Sequence, residues 1–83
     1  MKVKVLGYRD INMTDKETGR LIIGTSLHVC YPNDGVKGLE TRKIFFSSDR
    51  MRDMKYVPVP DTYANLEFGP SGKAYSIVAL NDK

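Results

Sequence analysis

Residues 20–31 alternate between apolar and polar side chains more regularly than any other part of this chain. One parity holds Leu21, Ile23, Leu27, Val29 and Tyr31. The other holds Arg20, Gly24, Ser26, His28 and Cys30, with Ile22 as the one large apolar residue out of phase. Because successive side chains of a strand point to opposite faces, this period of two predicts a half-buried β-strand.

Four further segments predict strands, at residues 2–13, 41–46, 63–68 and 73–80. In the first, one parity carries Val3, Val5, Ile11 and Met13. Gly7 lies in the middle of that segment, where a glycine predicts a sharp bend or a bulge. A long, bent first strand is typical of a small barrel, because such a strand serves both sides of it.

Polar, glycine-containing segments separate these strands. Residues 14–20 predict a hairpin loop, residues 32–38 a turn-rich loop, and residues 69–72 the tight turn of a final hairpin. Residues 48–55 predict one or two helical turns that start after Ser47, because Met51 and Met54 have helical spacing. Pro58 and Pro60 end that helix, and residues 81–83 form a polar tail.

Five strands with a short helix between the third and the fourth predict an all-β fold of a single domain, residues 1–83. The arrangement is that of a five-stranded Greek-key barrel of the oligonucleotide/oligosaccharide-binding (OB) type. An SH3-like barrel is the nearest alternative, although the position of the helix favours the OB type. Because 83 residues bury only a small core, we expect a homodimer.

Several classes of protein are excluded by composition. The longest apolar runs, residues 21–24 and 76–80, are far shorter than the roughly 20 residues of a membrane span, and the first residues lack the apolar region of a signal peptide.

A single cysteine, Cys30, suits a reducing cytoplasm. One histidine and one cysteine supply no metal-ligand spacing, so we expect neither a metal nor a cofactor.

Catalytic chemistry has little support. His28 and Cys30 are two residues apart on one strand, which brings them to the same face, but an ordinary sheet face explains this spacing. Residues 69–73 contain glycine and lysine without the spacing of a phosphate-binding loop. We therefore do not expect an enzyme.

Cations interleaved with aromatic residues are the strongest functional signal. Single-stranded nucleic acid is held by cations that follow the phosphates and by flat rings on which bases stack. The net charge of +3 is compatible with a local basic groove. Candidate pairs lie in three strands: Tyr8 with Arg9, Lys43 with Phe45, and Lys73 with Tyr75. The alternative for Phe45 is a place in the core.

Four short segments resemble the gene-five single-stranded DNA-binding proteins of filamentous phages: Gly19-Arg20, Val29-Cys30-Tyr31, Lys43-Ile44 and Tyr56-Val57-Pro58. The resemblance implies a dimeric OB-like barrel from a phage or mobile element, with single-stranded DNA as its partner. It also implies that Tyr31 stacks on a base, that Lys43 faces the DNA, and that Arg20 overhangs the groove on a long hairpin.

The chain departs from that family where Leu21-Ile22 replaces a hairpin tyrosine. Tyr31 also shares the parity of Leu27 and Val29, so that it reaches the surface only if the strand twists or bulges before Pro32. Three classes of function stay open. They are binding of single-stranded DNA, a protein-interaction or regulatory barrel without affinity for nucleic acid, and an RNA-binding or other oligonucleotide-binding barrel.

Overall fold

The computed structural model describes residues 1–80 and contains five strands and one short helix in that range. In chain order the elements are β1 (Lys2–Thr14), β2 (Leu21–Pro32), β3 (Leu39–Ser47), α1 (Ser48–Met54), β4 (Thr62–Phe68) and β5 (Ala74–Ala79). The predicted small all-β fold with one short helix is therefore confirmed. The predicted polar tail, residues 81–83, lies outside the described residues.

All five strands form one antiparallel sheet in the order β3-β2-β1-β4-β5. The first strand is central, since it pairs with β2 over residues 4–14 and with β4 over residues 2–5. This order is that of a partly open five-stranded barrel of the OB type, with β3 and β5 at the two ends of the strip.

A bulge in β1 shifts the register of the sheet between Val5 and Gly7. Val5 pairs with Val29, whereas Ile11 pairs with Gly24 on the opposite face. The prediction of a bulge at Gly7 is thus confirmed. The prediction that Ile11 and Met13 share a face with Val3 and Val5 is wrong, because one extra residue reverses the face of every later side chain.

The core lies on one face of the sheet, which we call the inner face. Its buried residues are Val3, Val5, Leu27, Val29, Tyr31, Ile44, Phe46, Tyr56, Ala64, Leu66 and Ile77. Helix α1 covers one part of this core with Met51 and Met54, the two residues whose helical spacing predicted the helix. Ser47 caps its N-terminus, because the Ser47 hydroxyl accepts a hydrogen bond from the Arg50 amide at 3.2 Å.

Side chains cover the unpaired edge of β5. The Arg50 guanidinium donates a hydrogen bond to the carbonyl oxygen of Tyr75, and the amide of Ile77 donates one to the sulfur of Met54 at 3.3 Å. On the facing strand β3, the Arg42 guanidinium lies 4.9 Å from the centre of the Phe68 ring. Helix α1 therefore protects a strand edge that is otherwise open to pairing with another chain.

The β1–β2 hairpin extends beyond the core. Strand β4 reaches only residues 2–5 of β1, and β3 reaches only residues 24–32 of β2. The distal part, residues 12–23, is consequently a two-stranded ribbon, and the structure is elongated at 40 × 28 × 24 Å. Within the described range, no helix has the length and apolar character needed to cross a bilayer.

Tyr56 generates a prediction about stability. Its ring is 6% exposed, and its buried hydroxyl has no hydrogen-bond partner among residues 1–80, while burial raises the pKa of that hydroxyl. Because a buried polar group without a partner is unfavourable, Tyr56→Phe should raise the free energy of unfolding by about 1 kcal/mol. Urea denaturation followed by circular dichroism measures this change. A loss of stability would contradict the prediction.

Candidate nucleic-acid interface

The face of the sheet turned away from the core, which we call the outer face, carries alternating cations and polar side chains. On this face Phe45 of β3 lies opposite Ser26 of β2, which lies opposite Arg9 of β1. Two residues further along these strands, on the same face, Lys43 lies opposite His28. Phe45, Lys43 and Arg9 are exposed, so this face presents an aromatic ring and cations to solvent.

Phe45 is supported from below by Gly24. A Cβ atom on Gly24 would lie 2.5 Å from Cζ and 2.7 Å from Cε1 of the Phe45 ring, and closer still to the carbonyl oxygen of Phe46. The ring therefore rests on the backbone of β2, while 47% of the residue stays exposed. This placement excludes the alternative that Phe45 belongs to the core.

A groove of about 320 Å³ joins Phe45 to the β1–β2 hairpin, and we call it the Arg20 groove. Its lining comprises Asp15, Thr18, Arg20, Leu21, Ile22, Ile23, Phe45 and Ser47. The hairpin loop is ordered by its own bonds, since the Gly19 amide donates to the Asp15 carbonyl at 2.8 Å and Gly19 has a φ of 71°. Arg20, at the end of this loop, and Phe45 therefore line the same groove.

A second groove of about 220 Å³ lies on the other side of Phe45, and we call it the Lys73 groove. Its lining comprises Arg42, Lys43, Ile44, Phe45, Lys73 and Ala74. The β4–β5 turn brings Lys73 here, because the Lys73 carbonyl accepts a hydrogen bond from the Gly69 amide at 2.8 Å and Gly72 has a φ of 82°. The fold thus collects three predicted residues, Arg20, Lys43 and Lys73, around a fourth, Phe45.

Tyr31 lies in the core. It is 7% exposed, and β2 pairs with β3 from Gly24 to Pro32 without a shift of register, so no bulge turns the ring outward. The role that the resemblance implied for Tyr31 is therefore corrected: its ring is part of the core and not an exposed stacking surface. The alternation of β2 had already placed Tyr31 with the apolar residues.

The hydroxyl of Tyr31 has a structural partner. It donates a hydrogen bond to Oε2 of Glu40 at 2.6 Å, and the side-chain amide of Asn33 donates to Oε1 at 2.7 Å. The bond to Glu40, together with burial, raises the pKa of the Tyr31 hydroxyl. The same two donated bonds lower the pKa of the Glu40 carboxyl. This cluster anchors the β2–β3 loop to the end of the barrel.

The remaining predicted residues lie outside the two grooves. Tyr8 pairs with Leu27, so it shares the inner face, yet it is 44% exposed because it lies where the hairpin leaves the core. Arg9 shares the outer face with Phe45 across β2. Tyr75 is 52% exposed on β5 with its ring against Gly69.

His28 and Cys30 share the outer face as predicted, but their environments differ. His28 is exposed, whereas Cys30 is buried and carries a free thiol. Among residues 1–80, no group of three or more His, Cys, Asp or Glu side chains is placed to hold a metal ion.

The structure adds three residues that the sequence did not indicate: Tyr63, Lys2 and Lys4. Lys4 pairs with Tyr63 across β1 and β4 on the outer face, and the ammonium of Lys2 lies 4.6 Å from the centre of the Tyr63 ring. Alternation around Ala64 and Leu66 would have placed Tyr63 on an exposed face. The pairing of β1 with β4, which joins the tyrosine to two lysines, has no local signal.

Comparisons of the chain with protein-family models, with curated proteins and with solved structures give no match.

The packing of Phe45 on Gly24 predicts a large effect of one methyl group. Gly24→Ala should lower the free energy of unfolding by about 1–3 kcal/mol, because the methyl group overlaps a backbone oxygen and the Phe45 ring. Gly7→Ala in the neighbouring strand is the matched control, since a Cβ there meets no atom within 4 Å. Thermal denaturation compares the two variants. Equal stability of both would show that Phe45 does not rest on Gly24.

Proposed function

We propose that this protein binds single-stranded DNA with little sequence preference and without catalysis, through the outer face of β2 and β3. The observation that carries the proposal is the position of Phe45, a half-exposed ring between a groove lined by Arg20 and a groove lined by Lys43 and Lys73. A base would stack on the ring, and phosphates would meet the cations on either side. Strands 2 and 3 with the β1–β2 and β4–β5 loops are the usual binding surface of an OB-type barrel.

Aromatic stacking and contacts with phosphates are both compatible with any base sequence. A surface that offers only these contacts therefore suits single-stranded DNA bound with little sequence preference. Every base has a π-face, and a phosphate contact carries no direct sequence information. The Arg20 groove also contains Asp15, so positive charge is greatest on the side of Lys43 and Lys73. RNA also presents flat bases and phosphates, and it is therefore the comparison ligand in the experiment below.

A second function, docking of a protein partner, is favoured by a different observation. The distal β1–β2 ribbon exposes large apolar side chains, among them Leu21 at 62% and Ile23 at 41%. Exposed apolar surface of this kind is typical of a protein-interaction site. We assign the ribbon to a second copy of this chain, because the small core of a single copy benefits from further burial.

Two substitutions separate the proposed roles. Phe45→Ala should weaken the binding of oligo-dT by about 1–3 kcal/mol, because it removes the stacking platform, with little change in salt dependence. Lys43→Ala should flatten the slope of log K against log salt by about 0.7, because one phosphate contact is lost. Fluorescence anisotropy of a labelled oligonucleotide at several salt concentrations measures both effects. Both side chains are exposed, so the fold should be retained.

The matched control is Lys37→Ala, which removes the same charge from the exposed β2–β3 loop and lines neither groove. Its affinity and salt slope should equal those of the wild type. Absence of binding to oligo-dT at low salt would refute the proposed function and leave the protein-docking function in its place. Tighter binding of oligo-U than of oligo-dT would assign the surface to RNA.

The dimer is tested by sedimentation equilibrium at micromolar concentration. The expected mass is twice the 9.4 kDa of the chain. Ile23→Ser should dissociate the dimer, since it places a polar side chain in the apolar surface that a second copy would cover. Val57→Ser removes an exposed apolar side chain from outside the ribbon and should leave the mass unchanged. A monomeric wild type would count against self-association.

A further inference from the structure

A third groove, of about 340 Å³, lies at the opposite end of the sheet from the Arg20 groove. It is lined by Lys2, Val3, Lys4, Cys30, Tyr31, Pro32, Leu39 and Tyr63, and we call it the Tyr63 groove. The lining is mostly apolar, and two lysines, Lys2 and Lys4, belong to it. A mostly apolar cleft with a few charged groups is the usual form of a site for a small organic moiety.

The Tyr63 ring is held in place yet accessible. Tyr63 is 39% exposed, Lys4 is its partner across β1 and β4, and the Lys2 ammonium lies 4.6 Å from the ring centre. Lys4 also lies 4.0 Å from the carboxylate of Asp61, which is 83% exposed. An exposed pair of this kind contributes little to stability, so Lys4 can exchange Asp61 for a phosphate at small cost.

A continuous outer surface joins the Tyr63 groove to Phe45. Phe45 and Tyr63 are separated by three strand spacings and about four residues along the strands, which corresponds to roughly 20 Å. Between them lie His28, Lys43 and the backbone of Gly7, where no side chain rises from the sheet. Lys43 and Lys4 thus flank a diagonal path with an aromatic ring at each end.

We infer that the Tyr63 groove is a second base-binding subsite, and that one polynucleotide strand crosses the outer face from Phe45 to Tyr63. This inference rests on the proposed function. A base enters the groove against Tyr63, and Lys2 and Lys4 contact the adjoining phosphates. The ligand class is a single strand several nucleotides long. A strand of about two nucleotides is too short to span roughly 20 Å and fills only one subsite, whereas a strand of about 16 nucleotides reaches both.

The experiment measures binding of labelled oligo-dT of both lengths to the Tyr63 variants. Tyr63→Ala should weaken the binding of the long oligonucleotide by about fivefold to hundredfold, through the loss of one stacked base, and leave the short one unchanged. Tyr63→Phe keeps the ring and should bind both as the wild type does. Thermal denaturation of each variant, with Tyr63→Phe as reference, shows whether the fold is retained.

A second readout reports contact with the ring directly. The chain has no tryptophan and five tyrosines, so its emission comes from tyrosine. The long oligonucleotide should quench a smaller fraction of that emission in Tyr63→Phe than in the wild type at equal saturation. If Tyr63 does not contact the oligonucleotide, the quenched fraction in Tyr63→Phe should be equal to or larger than that of the wild type, because the substitution then removes only unquenched emission.

The outcomes distinguish the inference from the proposed function. If Phe45→Ala weakens binding while Tyr63→Ala has wild-type affinity at both lengths, the proposed function stands and the second subsite is refuted. If neither the wild type nor any variant binds the short or the long oligonucleotide, the proposed function itself fails. If Tyr63→Ala weakens both lengths equally, the two rings do not act on separate parts of one strand.

Discussion

The bulge between Val5 and Gly7 is the feature on which the rest of the structure depends. Before the bulge, the odd-numbered residues Val3 and Val5 face the core, and this part of β1 pairs with both β2 and β4. After it, the same parity faces away from the core, and the strand continues as the hairpin ribbon. Since a one-residue shift reverses every later side chain, this single irregularity places Arg9 on the face that carries Phe45. It also leaves Tyr8 beside Leu27.

The candidate interface is built by close backbone approach as much as by charge. Gly24 has no side chain, so the Phe45 ring lies against β2 and keeps its other surface exposed. The two adjoining loops then set the positions of the cations, through turns whose glycines adopt positive φ at Gly19 and Gly72. Rigid support of this kind lowers the entropy cost of ordering side chains when a ligand binds.

Several elements could be predicted from the chain because they depend on local physics. The strand at 20–31 follows from its period of two, the helix from a serine cap with two methionines at helical spacing, and the hairpin turns from glycine and polar residues. The exposed positions of Lys43 and Phe45 follow from a similar alternation within residues 41–46. The alternation also placed Tyr31 among apolar residues, and the structure agrees with it rather than with the motif Val29-Cys30-Tyr31.

By itself, the sequence determined the class of fold, the location of its strands and the residues able to stack or to carry charge. Local periodicity and turn chemistry act over a few residues, and both can be read from a single chain. Only the tertiary structure decided which of these residues meet. The pairing of β1 with β4 brings Tyr63 to Lys2 and Lys4, and the curvature of the sheet brings Lys73 to Lys43. Such contacts join residues far apart in the chain, and their register depends on how the whole sheet buries its inner face.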